Sequence, residues 1–250
     1  MTDTKELRAD GDLVHTAPTP DPGLLFRLVG VLFSPRRTFS AVVQHPRSLG
    51  AMVAVVLVVG GSTGALLSTA RGQQMMLEQS VAGMEAFGIT VSDDMYAQIS
   101  QGSEFAVYTS AAGAAVGFPV LVLALTAVVW ILGWVVFGAG AQFKVLYAVV
   151  THVGAVSIVQ QLFVVPLNYV RGAMNSPSTL AVFFPMLEEG TFTQRTLGLV
   201  DVFIIWQLFV LSTGVAVLYK RRTRPIATTF YLLYAVIAVG GGAGLSRIGG

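Results

Sequence analysis

"RTLGLVDVFIIWQLFVLSTGVAVLYKRR", residues 195 to 222, is an apolar run that closes on basic residues and carries one carboxylate, Asp201, near its start. A helix that crosses a bilayer needs about 20 mostly apolar residues to cover roughly 30 Å of hydrocarbon. The part from 198 to 219 meets that need. Working outward, the rest of the chain has the same character: of 250 residues, 54% are hydrophobic and 11% charged, against about 25% charged in an ordinary soluble domain. The composition is that of an integral membrane protein.

Five segments qualify as spans: about 49 to 69, 113 to 137, 145 to 169, 198 to 219 and 226 to 246. The last is the least apolar, because "GGGAG" occupies 240 to 244, but "IATTFYLLYAVIAV" is too apolar and aromatic for an exposed tail. The expected fold is an all-α polytopic bundle of five transmembrane helices. A polar segment of residues 1 to 23, with three prolines and no periodic apolar pattern, reads as a disordered cytoplasmic tail. No apolar core follows a basic start there, so a signal peptide is not expected. Residues 24 to 246 form the membrane domain and 247 to 250 a short external tail.

Orientation follows from where the cations lie. The N-terminal part, the turn around Lys144 and the run Lys220, Arg221, Arg222, Arg224 hold 11 of the 15 Lys and Arg. The alternate segments hold Arg71, Arg171, Arg195 and Arg247, with the seven acids Glu78, Glu85, Asp93, Asp94, Glu104, Glu188 and Glu189. Five spans then place the N-terminus in the cytoplasm and the C-terminus outside. A net charge of +2 without a basic tract interleaved with aromatics argues against nucleic-acid binding. The absence of cysteine excludes disulfides, thiolate metal sites and thiol redox chemistry.

Before the first span, Leu24 to Phe33 is apolar but too short to cross. Ser34 and Pro35 then read as a helix start, and Phe39, Val42 and Val43 recur at helical spacing opposite Arg36, Arg37, Ser40 and Gln44, with Pro46 as the stop. A short basic amphipathic helix of this kind is expected in the membrane interface, its cations near anionic headgroups. Residues 70 to 104 should hold one or two short external helices, one of them starting at "SDD", 92 to 94. "TLAVFFPML", interrupted by Pro185, should dip into the interface or pack on the spans.

Asp201 heads the candidates, since an ionisable residue in a span is a functional hypothesis by default. It lies about 11 Å from the centre of its span, near the outer edge of the hydrocarbon. On a helix it shares a stripe with Ile205, Leu208, Ser212 and Tyr219. Asn168, Arg171 and Arg195 are its depth-matched partners for structural pairing; handling of a substrate or a proton is the other role. Gly154, Gln161 and Asn168 recur every seven residues, a stripe suited to hydrogen bonding between helices. His152 has no second histidine in any span, which argues against a metal site and for a satisfied core histidine. "GGSTG", 60 to 64, matches the serine-hydrolase pattern G-x-S-x-G, and Ser62 with His152 would make an intramembrane hydrolase. The same residues also supply a helix-contact pair, Gly60 with Gly64, and the spacing returns at Gly113 with Gly117 and at Gly240 with Gly244. Trp130, Trp134 and Trp206 read as packing or belt residues, and "KRRTR", 220 to 224, as a topology determinant and a lipid-headgroup contact.

"FSPRRTFSAVVQHP" before the first span, "FKVLYAVVTHVGAVSIVQQLF" opening the third and "LGLVDVFIIWQLFVLSTGVAVLYKRR" as the fourth resemble the Yip domain, the Ypt/Rab-interacting membrane protein family. The resemblance covers about residues 24 to 246 and is most specific at Asp201, Trp206, Gly214 and Lys220. It implies five spans, a cytoplasmic N-terminus, and no catalytic residue or cofactor. Eukaryotic relatives reside in Golgi and endoplasmic reticulum membranes and associate with small GTPases and one another. This chain lacks an Asp-Leu-Tyr-Gly-Pro segment before the first span, so small-GTPase binding is doubtful for it. Its Ala, Val and Gly-rich composition and brief tail are more like the prokaryotic members, in a bacterial cytoplasmic membrane. The reading is then a non-enzymatic membrane organiser or interaction scaffold, associating with itself or with other membrane proteins. The alternatives are a small transporter or channel using the polar faces of the third and fourth spans and, more remotely, the hydrolase.

Overall fold

The structure is a computed structural model and describes residues 23–102, 105–138, 140–188 and 190–248. The expectation for the tail therefore lies, Gly23 apart, outside the described residues. Eleven α-helices follow one another among them, with no strand.

Two short helices come first, α1 (Leu24–Phe33) and α2 (Pro35–Gln44). Ser34 stands at the N-cap of α2 with Pro35 inside its first turn, but the Ser34 side chain makes no capping bond. The amphipathic pattern is as read, with Arg36, Arg37, Ser40 and Gln44 exposed and Phe39 and Val42 buried. What buries its apolar face is protein: α2 packs on α7 and α10, and α1 packs on α2, α3, α7 and α8. The hairpin is therefore part of the bundle, because the bundle offers it a cleft that α10 opens with a small residue. A Cβ built on Gly214 would lie 2.5 Å from Val149 and 3.2 Å from the Phe39 ring, so only glycine admits both.

Four helical segments are long and apolar enough to cross a membrane: Leu49–Leu67, Val107–Val135, Phe143–Arg171 and Thr223–Arg247. They are α3 (Leu49–Leu67), α6 (Ala106–Val135), the pair α7 (Phe143–Val153) and α8 (Ala155–Arg171), and α11 (Thr223–Ile248). The third span is thus two helices joined at Gly154, and α6 starts well before residue 113. Pro119 inside α6 and Pro166 inside α8 each remove one backbone donor.

The fourth expected span is shorter than its apolar run. Helix α9 (Phe192–Gly198) ends before it and α10 (Val202–Leu218) starts after Asp201. Its 17 residues cover about 26 Å at 1.5 Å each. The helix begins late because Asp201 is its N-cap, held in extended backbone with its side chain accepting from the Phe203 amide.

Outside the spans, α4 (Ala70–Ala86) and α5 (Asp93–Gly102) fill the long connection. The Ser92 hydroxyl accepts from the Met95 amide at 3.3 Å, so the expected start signal functions. In "TLAVFFPML" a single 3₁₀ turn, Leu180–Phe183, packs on α9. Trp130 closes the turn after α6, its indole nitrogen donating to the Ala141 carbonyl at 3.1 Å and its ring edge-on to Trp134 and Phe143.

Candidate functional site

Asp201 is 5% exposed, and the geometry around it is closed. One carboxylate oxygen, Oδ1, accepts from the Phe203 amide at 2.8 Å. The other, Oδ2, accepts from the hydroxyls of Ser176 at 2.7 Å and Ser178 at 2.6 Å. The Asp201 amide donates to the Tyr234 hydroxyl at 3.0 Å, and that hydroxyl donates to the Leu199 carbonyl at 2.7 Å. A one-residue antiparallel bridge, Thr179 with Asp201, adds two backbone bonds, Leu180 to Val200 and Val202 to Ser178. Asp201 thereby ties the loop after α8 to the start of α10 through its carboxylate and to the middle of α11 through its backbone amide.

The expected partners lie elsewhere. Asn168 is buried, and with its side-chain amide turned so that the nitrogen faces them it donates to the carbonyls of Ala173 at 3.2 Å and Asn175 at 3.1 Å. It shapes the loop that delivers Ser176 and so acts on Asp201 through that loop, not by contact. Arg195 donates to the Leu245 carbonyl and joins α9 to α11. Arg171 lines a cavity of about 510 Å³ with Asn175, Ser176, Phe184 and Gln194. All the residues lining that cavity fall between 171 and 198, so no residue of α10 borders it.

Between α8 and α10 the amide that bridges is Gln207, donating to Ser157 at 3.2 Å with Gln160 Oε1 at 3.5 Å. Gln161, the residue the seven-residue stripe selected, is half-buried and outside this contact. Gly154 of that stripe does mark a close approach, with a Cβ there 3.0 Å from Val55 and 3.1 Å from Phe118.

His152 is wholly buried, its Nδ1 2.7 Å from the Ala148 carbonyl. Its Nε2 has no hydrogen-bond partner among the described residues. The Ser62 hydroxyl instead donates to the backbone of its own helix, at Val58 (2.6 Å) and Val59 (3.2 Å), so the hydrogen bond a hydrolase needs is not formed. Among the described residues no group of three His, Cys, Asp or Glu is placed to hold a metal. Arg27 in α1 is 7% exposed, and its Nε and Nη1 also find no partner among the described residues. Sequence reading counted it only as a topology charge. Its place in a ten-residue apolar stretch, "LLFRLVGVLF", was the available signal.

The glycine pairs divide. Gly60 meets α6, where a Cβ would stand 2.9 Å from that of Ala114, and Gly64 reaches Val107 at 4.0 Å. Gly113, Gly117, Gly240 and Gly244 face open space. In α11 the glycines that touch a neighbour are Gly241, against Leu199, and Gly242, against Thr196.

Compared with known proteins, the chain has no match among curated sequences or solved structures. The family model of the Yip1 domain matches residues 29–245. That stretch begins within α1, takes in the hairpin, the spans and the Asp201 cluster, and ends within α11. Covering nearly all of the membrane domain, it establishes that this integral membrane protein belongs to the Yip1 family.

Proposed function

We propose that the chain is a non-enzymatic membrane organiser or interaction scaffold with five spans, α10 being the fifth crossing helix. The distribution of Lys and Arg supports a cytoplasmic N-terminus and an external C-terminus. The Ala, Val and Gly-rich composition favours a bacterial cytoplasmic membrane. One observation carries the reading: the ionisable residue that heads the candidates, Asp201, is engaged by three donors from its own chain. A buried carboxylate so held stabilises a junction. The open faces at Gly113, Gly117, Gly240 and Gly244 offer a second copy or another membrane protein close approach.

The outer cavity beside Ser176 is what favours a transporter, since it adjoins the cluster. Both readings meet in one experiment. The chain has no cysteine, so Gly113→Cys and Gly244→Cys can be cross-linked in native membranes without background. The scaffold predicts a defined adduct, with itself or a partner, retained in Asp201→Asn. A solute flux in proteoliposomes that Asp201→Asn abolishes, with no adduct formed, would replace the scaffold by the transporter.

A further inference from the structure

An open groove of about 440 Å³ runs between the first turn of α2 and the cytoplasmic half of α10, lined by Ser34, Pro35, Arg36, Arg37, Phe209, Thr213 and Thr223. We propose that it holds one anionic phospholipid of the cytoplasmic leaflet, with the phosphate between Arg36 and Arg37 and an acyl chain along Phe209 and Thr213.

Depth and charge both point to this occupant. Phe209 and Thr213 are one turn apart on α10, and Phe209 precedes the end of that helix at Leu218 by nine residues, about 14 Å. The floor of the groove therefore extends from the headgroup level toward mid-bilayer, the reach of an acyl chain. At its shallow end Arg36 and Arg37 are exposed, and Thr223 brings in the exposed cations Lys220, Arg221, Arg222 and Arg224. No carboxylate is among the lining residues. The first-turn amides of Arg36 and Arg37 have no intrahelical acceptor, and Ser34 leaves them uncapped. They add donors beside two cations that would recognise a phosphate without them. A second crevice, about 190 Å³ between α6, α10 and α11, makes the contrast: Leu125, Val128 and Ile237 line it and no cation does. That crevice suits any lipid chain, whereas the α2 groove selects by headgroup.

The assignment rests on the cytoplasmic placement of α2 proposed above. Headgroup preference measured in detergent reads the groove whichever way the chain is inserted, so the two can fail separately. The full chain is equilibrated with equimolar phosphatidylglycerol and phosphatidylcholine of matched acyl chains, and the retained lipid is counted by native mass spectrometry. Wild type is expected to prefer phosphatidylglycerol, and Arg36→Gln with Arg37→Gln to lower that preference about 25-fold, about five-fold per cation. Lys144→Gln removes an exposed cation outside the groove and should change nothing. Ser34→Trp, at the exposed mouth, keeps every cation and should reduce the lipid retained, which covers the case of a double variant that does not fold. An unchanged preference in a folded double variant, or an equal loss in Lys144→Gln, overturns the proposal. No preference in wild type also overturns it, and assigns the groove to the acidic N-terminal segment or to a second copy.

Discussion

At the N-terminal end of α10 a carboxylate is buried among three donors, while in α1 and α7 a guanidinium and an imidazole are buried with nitrogens that find no partner among the described residues. Asp201 receives three hydrogen bonds. Arg27 and His152 between them leave three nitrogens unbonded among the described residues. The first cluster is built from a loop, which can bend until every group is satisfied. The second lies on helix faces, where His152 Nδ1 reaches the Ala148 carbonyl but Nε2 and two Arg27 nitrogens find no partner among the described residues. The loop therefore meets Asp201 with three donors, whereas the helix faces satisfy Arg27 and His152 only in part.

Unfolding in mixed micelles can break that contrast. Asp201→Ala removes a helix cap and strands the Ser176 and Ser178 hydroxyls, and it should cost about 3 kcal/mol. A loss below about 1 kcal/mol would mean that the loop, not the carboxylate, holds the junction. Arg27→Met is expected to act the other way and stabilise by about 2 kcal/mol, because it removes a buried charge and keeps the packing volume. If stability falls instead, an anion from the N-terminal segment or from lipid sits on the guanidinium.

Two smaller effects sharpen the comparison. Gly60→Val should destabilise by about 1.5 kcal/mol through its clash with Ala114, and Gly113→Val should be neutral in the isolated chain. A penalty for Gly113→Val that grows with protein concentration would locate a contact between copies. Lys220 closes α10 in a left-handed conformation, φ 53°, with the Arg221 amide donating to Ala216 and its own to Val217. Lys220→Gly should therefore gain about 0.5 to 1 kcal/mol in thermal unfolding.

What was legible in the sequence follows the same division. Long apolar runs announce α3, α6, α7 with α8, and α11 because a bilayer demands both length and composition. The amphipathic pattern of α2 was legible, but its environment was not, since lipid and a protein cleft impose the same periodicity. Asp201 was legible as a polar residue at one end of its apolar run, where it caps α10. Its partners were not, because Ser176 and Ser178 look like any loop serines until Asn168 folds the loop back on itself. The seven-residue stripe selected Gln161, whereas Ser157 and Gln160 of the same helix are the residues that meet Gln207 of α10.

The lateness of the α10 start has a further consequence for the surrounding lipid. If α10 crosses as proposed above, it offers about 26 Å of apolar length, whereas the 30 residues of α6 offer about 45 Å. Val202 and Phe209 are exposed on α10, so lipid meets its short side directly. A bilayer of ordinary thickness must thin by a few ångströms on that flank while α6 tilts or projects from it. The protein thus carries a lopsided hydrophobic thickness, and it should drift toward thin or strongly curved membrane and gather there.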